Sequence, residues 1–332
     1  MTTYRIGTRS SRLAMQQSLE VVRALEAVYP QDEFQLVKLS TKGDKDKSSP
    51  LSKIGGKGVF VRWIEQALAQ GKVDFIVHSL KDVPSELAQG TVLAAIPKRQ
   101  DPGDVILTAK GMDWHDLPNG ARVGTGSLRR LAQLHALRPD LEIVHVRGNI
   151  DSRLDKLARG DFQALVLATA GLKRLQLLDY PFDSQRFNQK EVNSEAHILN
   201  NYELQAHAFS LDEMIPAVGQ GALAVQCLND DQQTREVLQA VDDPETHQAV
   251  ACERVVLKAL GADCNYPVGA YGQIKGQEIN LTAMIGRQDG FALVRSQLEA
   301  PLDQALALGQ AVYQDLLDQG AGKWLGQGDG ND

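Results

Sequence analysis

The sequence predicts an α/β protein of two lobes around a cleft, followed by a smaller α+β C-terminal domain. Three observations lead there. The chain is 332 residues long, more than a single hydrophobic core usually holds. Short apolar runs alternate with helix-length periodic segments through its first half, the pattern of βαβ units and a largely parallel sheet. After Pro244 the style changes to one helix and then three alternating strand patterns.

Taken in order, Tyr4–Gly7 reads as a strand, Leu13–Val28 as a helix and Glu33–Ser40 as a strand. Residues 42–58 are rich in glycine and charge and are expected to form a mobile loop of the lid type. Phe60–Gln70 is helical and Asp74–Ser79 an apolar strand. A second α/β pattern begins near 103, with strands at Val105–Thr108 and Ala121–Gly124. Leu128, Leu131, Leu134 and Leu137 then recur as a buried helical stripe. Glu142–Val146 reads as a strand, Ser152–Ala158 as a helix and Ala164–Ala168 as a buried strand. Asp179–Met214 is polar and without strong periodicity. It leads through Ile215–Ala222 to the apolar strand Ala222–Cys227, expected to return to the first domain. The last part holds a helix at Glu245–Leu260, strands at 268–274, 278–285 and 291–299, a helix at Leu302–Gln319 and a Gly-rich tail expected to be disordered. The expected domains are 1–102 with 222–240, then 103–216, then 243–323. Ligands in such two-lobed folds bind at the strand ends.

Composition narrows the function classes. Hydrophobic content is 43% and charge 23%, ordinary for a globular chain. A net charge of −7 argues against a general nucleic-acid binder. No apolar run of about 18 residues predicts a membrane span. Three cysteines (227, 252, 264), with no secretory h-region at the start, point to the reducing cytosol and no structural disulfide. Cys and His lack zinc-finger spacing, so no metal is expected.

Against the acidic whole, residues 122–174 hold eight Arg and two Lys with only five Asp or Glu. The densest runs are Val-Gly-Thr-Gly-Ser-Leu-Arg-Arg (123–130) and Val-Arg-Gly-Asn-Ile-Asp-Ser-Arg-Leu (146–154). Arginine grips carboxylate or phosphate with two parallel hydrogen bonds, so the cluster predicts a ligand with several negative groups. Thr-Arg-Ser-Ser-Arg (8–12) opens the first helix, where a serine cap and free N–H groups favour an anion. His-Ser-Leu-Lys-Asp-Val-Pro (78–84) lies at the C-terminal end of an apolar strand and presents Lys81 and Asp82. An Asp there can handle protons or stabilise a developing cation. Gly-Gly-Lys-Gly (55–58) fails the phosphate-loop pattern, with Leu51 at the first Gly position and Gly58 at the Ser/Thr position. Cys264 sits in a polar loop before a strand, where a cysteine is more often reactive than in an apolar run, though the local pattern alone favours a small buried residue. Cys227 and Cys252 read as core.

In this order and spacing the motifs resemble the porphobilinogen deaminase (hydroxymethylbilane synthase) family, from Arg5 to about Gly320. The specific parts are Gly-Thr-Arg-Ser-Ser, Gly-Gly-Lys-Gly-Val-Phe, His-Ser-Leu-Lys-Asp-Val-Pro, Val-Gly-Thr-Gly-Ser-Leu-Arg-Arg, Arg-Gly-Asn, Ala-Gly-Leu-Lys-Arg-Leu and Pro-Ala-Val-Gly-Gln-Gly-Ala. The resemblance implies three domains, the first two like periplasmic binding proteins. It implies a transferase that condenses four porphobilinogen molecules head to tail with loss of ammonia and frees the linear tetrapyrrole by hydrolysis. It implies a dipyrromethane cofactor held by a thioether to Cys264 and a catalytic carboxylate at Asp82. It assigns Lys81, Ser127, Arg129, Arg130 and Arg153 to the cofactor and Arg9, Ser11, Arg147 and Arg174 to the substrate. The chemistry agrees: each porphobilinogen adds two carboxylates, and loss of ammonia leaves an azafulvene-type cation that a fixed carboxylate stabilises.

The chain departs from the family where Ala262-Asp263 stand for the usual Gly-Gly before the cysteine, Arg12 for Pro and Gly126 for Ser, and where 179–214 is long. The expected partner is porphobilinogen alone, with no nucleic acid or membrane, acting on a cytoplasmic monomer. The alternative is a non-catalytic carboxylate- or anion-binding protein on the same scaffold. A periplasmic transport receptor would need the signal peptide that is not seen.

Overall fold

The computed structural model describes residues 1–39, 58–109, 111–178, 197–199, 202–261 and 266–325. The expected loop at 42–58 (Gly58 apart), Asp263, Cys264, much of 179–214 and the Gly-rich tail lie outside them. The chain divides into two compact units, one of Met1–Gln100 with Gly221–Gln248, the other of Asp101–Gln220 with Ala249–Asp332.

In chain order the elements are β1 (Thr3–Arg9), α1 (Arg12–Val28), β2 (Glu33–Leu39), α2 (Gly58–Ala69), β3 (Phe75–Ser79) and β4 (Thr91–Ala95). There follow β5 (Asp104–Ala109), β6 (Arg122–Gly124), α3 (Leu128–Leu137), β7 (Glu142–Val144), α4 (Ile150–Ala158), β8 (Ala164–Ala168), α5 (Thr169–Arg174), β9 (His197–Leu199) and β10 (Leu204–Ala208). The chain closes with β11 (Leu223–Leu228), α6 (Gln232–Leu238), α7 (Pro244–Ala259), β12 (Val268–Lys275), β13 (Glu278–Gly286), β14 (Leu293–Pro301) and α8 (Ala305–Asp318).

The first unit's sheet has the order β2-β1-β3-β11-β4. β1 pairs in parallel with β2 and β3, while β11 runs antiparallel between β3 and β4. β3 shows why the sheet is covered on both faces. Alternate residues of a strand point to opposite sides, so Phe75 and Val77 join the cluster with Val21, Val22 and Leu25 of α1. Ile76 joins Ile64, Ala67 and Leu68 of α2. Helix α1 starts at Ser11, whose hydroxyl accepts from the Ala14 N–H at 3.3 Å, a side-chain cap. It stops at Tyr29, just before Pro30, which cannot continue a helix.

The second unit repeats the plan. Its sheet has the order β7-β6-β8-β5-β10-β9, with β6 parallel to β7 and β8 and with β5 antiparallel to β8 and β10. Its third part is an antiparallel sheet β12-β13-β14. Apolar residues of α7 (Cys252, Val256) and α8 (Leu308, Val312, Leu316) close a core over it. Ala270 of β12 donates its N–H to the Pro216 carbonyl at 3.0 Å, joining this sheet to the segment before Gln220.

Three expectations need correction. The sheets are mixed rather than largely parallel, because β5 and β11 enter from distant parts of the chain against the parallel set. The leucine stripe is not the buried face of α3: only Leu134 of the four leucines is buried, beside Arg129, Arg130, Ala132 and Gln133. A spacing of three drifts off one face of a 3.6-residue turn, and the charged groups at those positions have buried partners, given below. Strand β7 stops at Val144, not Val146. β4, β9, β10, α5 and α6 were not expected at all. Among the described residues, no helix is long and apolar enough to cross a membrane.

Gly7 sits where β1 meets β3. A Cβ there would come within 2.7 Å of the Ile76 Cγ2 and 3.2 Å of both Leu39 Cδ1 and Val73 Cγ2. Gly7→Ala should overpack this core and cost about 1–3 kcal/mol, read as an earlier urea midpoint. An unchanged midpoint would show that the sheet yields without cost.

Candidate functional site

In the first unit the predicted residues follow the C-terminal ends of two parallel strands. Arg9 ends β1, and Ser11 caps α1 just beyond it. Lys81 and Asp82 lie on the single 3₁₀ turn Leu80–Asp82 that follows β3. Asp82 is exposed, Lys81, Arg9 and Ser11 are half-buried, and Leu80 is buried beneath the turn. The turn is clamped by backbone bonds from Leu80 N–H to the Ala222 carbonyl and from Val83 N–H to the Leu80 carbonyl, both at 3.0 Å. Gln17 of α1 donates to the Ser79 hydroxyl at 2.7 Å, so α1 and the segment leading into the Asp82 turn share a part-buried tie. Below the turn, His78 is 7% exposed. Burial lowers its pKa, opposed by its bond with Gln226 and by the charges of Glu65 and Asp82.

In the second unit the basic residues follow the ends of β6, β7 and β8. These three strands run in one direction, so the segments after them open at one end of the sheet. Ser127 caps α3, its hydroxyl accepting from Arg130 N–H at 3.4 Å. The two arginine motifs touch through backbone: Thr125 N–H donates to the Val144 carbonyl at 3.0 Å and Val146 N–H to the Thr125 carbonyl at 3.3 Å. Gly126 permits this approach, since a Cβ there would stand 2.9 Å from the Val146 carbonyl oxygen. A serine at this position would collide with that carbonyl in this conformation.

Arg129 and Arg130 do not lie in an open loop. They are 4% and 6% exposed and share the fully buried Asp104 at the start of β5. Arg130 donates from Nε and Nη2 to Asp104 Oδ1 at 3.0 and 2.6 Å and from Nη1 to the Val166 carbonyl at 2.9 Å. Arg129 pairs its Nη2 with Asp104 Oδ2 at 2.8 Å and donates Nη1 to the Ile215 carbonyl at 2.6 Å. Burial pushes the Arg129 pKa down, and Asp104 holds it up. Among the described residues the two guanidiniums share this one carboxylate, and the Nε of Arg129 is buried with no hydrogen-bond partner. Arg147 and Arg153 are half-buried. Arg153 donates Nε to the Gly148 carbonyl at 2.8 Å. Arg174 is half-buried at the end of α5, next to Lys173, whose ammonium pairs with the buried Asp101 at 3.2 Å.

The first unit presents the N-terminus of α1 at Ser11; the second presents the N-terminus of α3 at Ser127, the buried Arg129 and Arg130, and the half-buried arginines 147, 153 and 174, donors of the kind that carboxylates accept from. Each unit assembles its own predicted residues. Cys264 lies outside the described residues, while Tyr266 and the strand β12 that follow it belong to the second unit. The partners Asp104, Gln17 and Gln226 were missed by the sequence reading. A signal existed for two: Asp104 opens the apolar run Val105–Leu107, and Gln226 interrupts Leu-Ala-Val-Gln-Cys-Leu. A polar group in such a run is buried and needs a partner. Among the described residues, no cluster of three or more His, Cys, Asp or Glu could hold a metal ion.

Comparison with known proteins agrees over most of the chain. Residues 4–236 match the family model described as porphobilinogen deaminase, dipyromethane cofactor binding domain, and 247–318 match the C-terminal domain of the same family. A porphobilinogen deaminase of Brevibacillus brevis is 44% identical over 328 residues, spanning 98% of this chain and 98% of the relative. That of Streptococcus sanguinis is 44% identical over 322 residues, covering 97% of each. That of Syntrophotalea carbinolica is 41% identical over 321 residues, covering 97% of this chain and 94% of the relative.

Two measurements test this geometry. Asp104→Asn removes the carboxylate that two buried arginines share and should destabilise by about 3–5 kcal/mol. Asp140→Asn, which strips the more exposed Arg138 of its partner at 2.7 Å, should cost about 1 kcal/mol or less. Equal losses in denaturant midpoint would show that Asp104 is not the keystone of the pair. The buried thiols provide the second. Burial raises Cys227 to about 11 and Cys252 to about 12, so neither should react with a thiol reagent at neutral pH until the protein unfolds. Prompt labelling of either in the native state would contradict the packing.

Proposed function

The chain belongs to the porphobilinogen deaminase family, and on that premise we propose how its residues divide the work. The protein is a transferase of tetrapyrrole synthesis that condenses porphobilinogen, with loss of ammonia, to the linear tetrapyrrole hydroxymethylbilane. It works with a dipyrromethane cofactor, which when bound supplies the pyrrole end from which the product chain is built.

Asp82 is the catalytic carboxylate. The supporting observation is its exposure on a turn whose backbone is clamped from below, so the charge is available to a ligand while its position is held. When the C–N bond of the aminomethyl group breaks, ammonia leaves and a cation remains on the substrate. A fixed carboxylate stabilises that cation. As the next ring attacks and the C–C bond forms, the same carboxylate accepts the proton lost from the ring carbon.

Arg129, Arg130, Arg153, Ser127 and Lys81 hold the cofactor's acetate and propionate groups, and Arg9, Ser11, Arg147 and Arg174 those of the incoming substrate. For Arg129 and Arg130 the contribution is partly indirect. Their hydrogen bonds to Asp104 anchor the N-terminus of α3. Cys264 carries the thioether. The support is that the chain's other two thiols, Cys227 and Cys252, are buried in cores with raised pKa. In this reading 1–102 with 222–240, 103–216 and 243–323 act as three domains of a cytoplasmic monomer.

The deciding experiment is the intact mass of the purified protein alongside turnover of porphobilinogen. An adduct of about two pyrrole units with turnover is expected. The bare mass with binding but no turnover would favour an anion-binding protein instead. Cys264→Ser should fold and lack the adduct. Asp82→Asn should load cofactor yet lose at least ~10²-fold in rate, and near-normal turnover would remove Asp82 from this role.

A further inference from the structure

Beneath Asp82 runs a chain of buried and half-buried polar groups that the roles above leave unused. His78 on β3 and Gln226 on β11 are 7% and 0% exposed, with Nε2 and Oε1 3.0 Å apart. The Gln226 amide nitrogen donates to Glu65 Oε1 of α2 at 2.9 Å and to Thr91 Oγ1 of β4 at 2.7 Å. Thr91 in turn donates its hydroxyl proton to the Ala88 carbonyl at 2.7 Å. Four elements of the first unit therefore meet in one hydrogen-bonded string.

The direction of each bond can be assigned in turn. The Thr91 proton is committed to Ala88, so the Thr91 oxygen accepts, and its donor is the Gln226 NH₂. With that end committed, Gln226 shows His78 its carbonyl oxygen, which can only accept. The proton between them must then sit on His78 Nε2. Burial disfavours the charged ring, so the neutral Nε2–H tautomer is the state the string selects. The string also grips the chain on both sides of the Asp82 turn, at His78 before it and at Ala88 after it. A Leu at either polar position of the pair would leave a buried donor or acceptor unpaired.

We propose that His78 is a positioning residue for the transferase reaction: as its Nε2–H tautomer it joins the Gln226–Thr91–Ala88 string, which ties the backbone on both sides of Asp82 and so sets where that carboxylate stands. This role rests on Asp82 being the catalytic carboxylate. His78 touches no reacting atom; it acts through the turn.

The test uses holoenzyme with cofactor loading checked by intact mass. His78→Leu should load normally, keep KM within about threefold and lower kcat by about 10²-fold, the scale of an ångström misplacement of a catalytic group. His78→Gln, whose amide N–H can reach the Gln226 oxygen, should recover most of that loss. A raised KM with unchanged kcat, full activity in His78→Leu, or equal loss in the Leu and Gln variants would overturn the proposal. Wild-type holoenzyme with ¹⁵N-labelled histidine provides a reading that does not depend on any variant folding. Long-range ¹⁵N–¹H spectra at neutral pH should show His78 as the neutral Nε2–H form, and an imidazolium or an Nδ1–H ring would overturn it. Asp82→Asn is measured alongside. Near-normal turnover there would mean that Asp82 itself is misassigned, a failure separable from a change in the His78 readouts alone.

Discussion

Parallel strands deliver their C-terminal ends to the same end of a sheet, and the candidate residues of both units depend on that constraint. In the first unit β1 and β3 hand over to Arg9, Ser11, Lys81 and Asp82. In the second, β6, β7 and β8 hand over to Ser127 and Arg129, to Arg147 and Arg153, and to Arg174. The antiparallel strands complete the arrangement from the other direction. β11 and β5 present their N-terminal ends where their neighbours present C-terminal ones. Ala222, just ahead of β11, can therefore hold the turn after β3. Asp104, first residue of β5, pairs with Ala168 at the end of β8 and reaches the arginines that open α3.

Burying two guanidiniums is costly unless each is paired and hydrogen-bonded. Here one carboxylate and the backbone carbonyls of Val166 and Ile215 answer most of that demand. Among the described residues the two guanidiniums share this one carboxylate. The same cluster reaches the C-terminal part of the second unit. Arg129 and Gln133 both donate to the Ile215 carbonyl, and the next carbonyl, Pro216, receives Ala270 of β12. Glu253, wholly buried on α7, closes the arrangement by accepting from Gly219 and Gly272 N–H at 2.7 and 2.9 Å. The strand that follows the Cys264 segment is thus tied by short steps to the buried arginines.

The first unit relies chiefly on amides and an imidazole in hydrogen-bonded positions. Gln17, His78 and Gln226 occupy positions that a sequence pattern would fill with apolar residues, and each donates or accepts toward the Asp82 segment. Polar groups in a low-dielectric core favour one arrangement over alternatives because any other leaves them unpaired. Those pairings hold the segment that carries the exposed Asp82.

Much of this was legible in the chain itself. The apolar run Phe75–Val77, Ser11 ahead of the Val21–Val22–Leu25 spacing, and the glycine-rich turns before Arg129 and after Arg147 specify local structure through period, caps and turns. Those signals act over a few residues and survive without a tertiary partner. The acidic composition, the basic stretch at 122–174 and the motif order likewise identified a ligand of many carboxylates and the family. What sequence could not settle depended on residues far apart. The leucine spacing in α3 pointed one way until Asp104 turned Arg129 and Arg130 inward. β4 and β10 carry weak patterns of their own and became strands because β11 and β5 offered open edges beside them. Which nitrogen of His78 holds the proton was decided by Thr91 and Ala88 through Gln226, a direction set by pairing in three dimensions that no local pattern encodes.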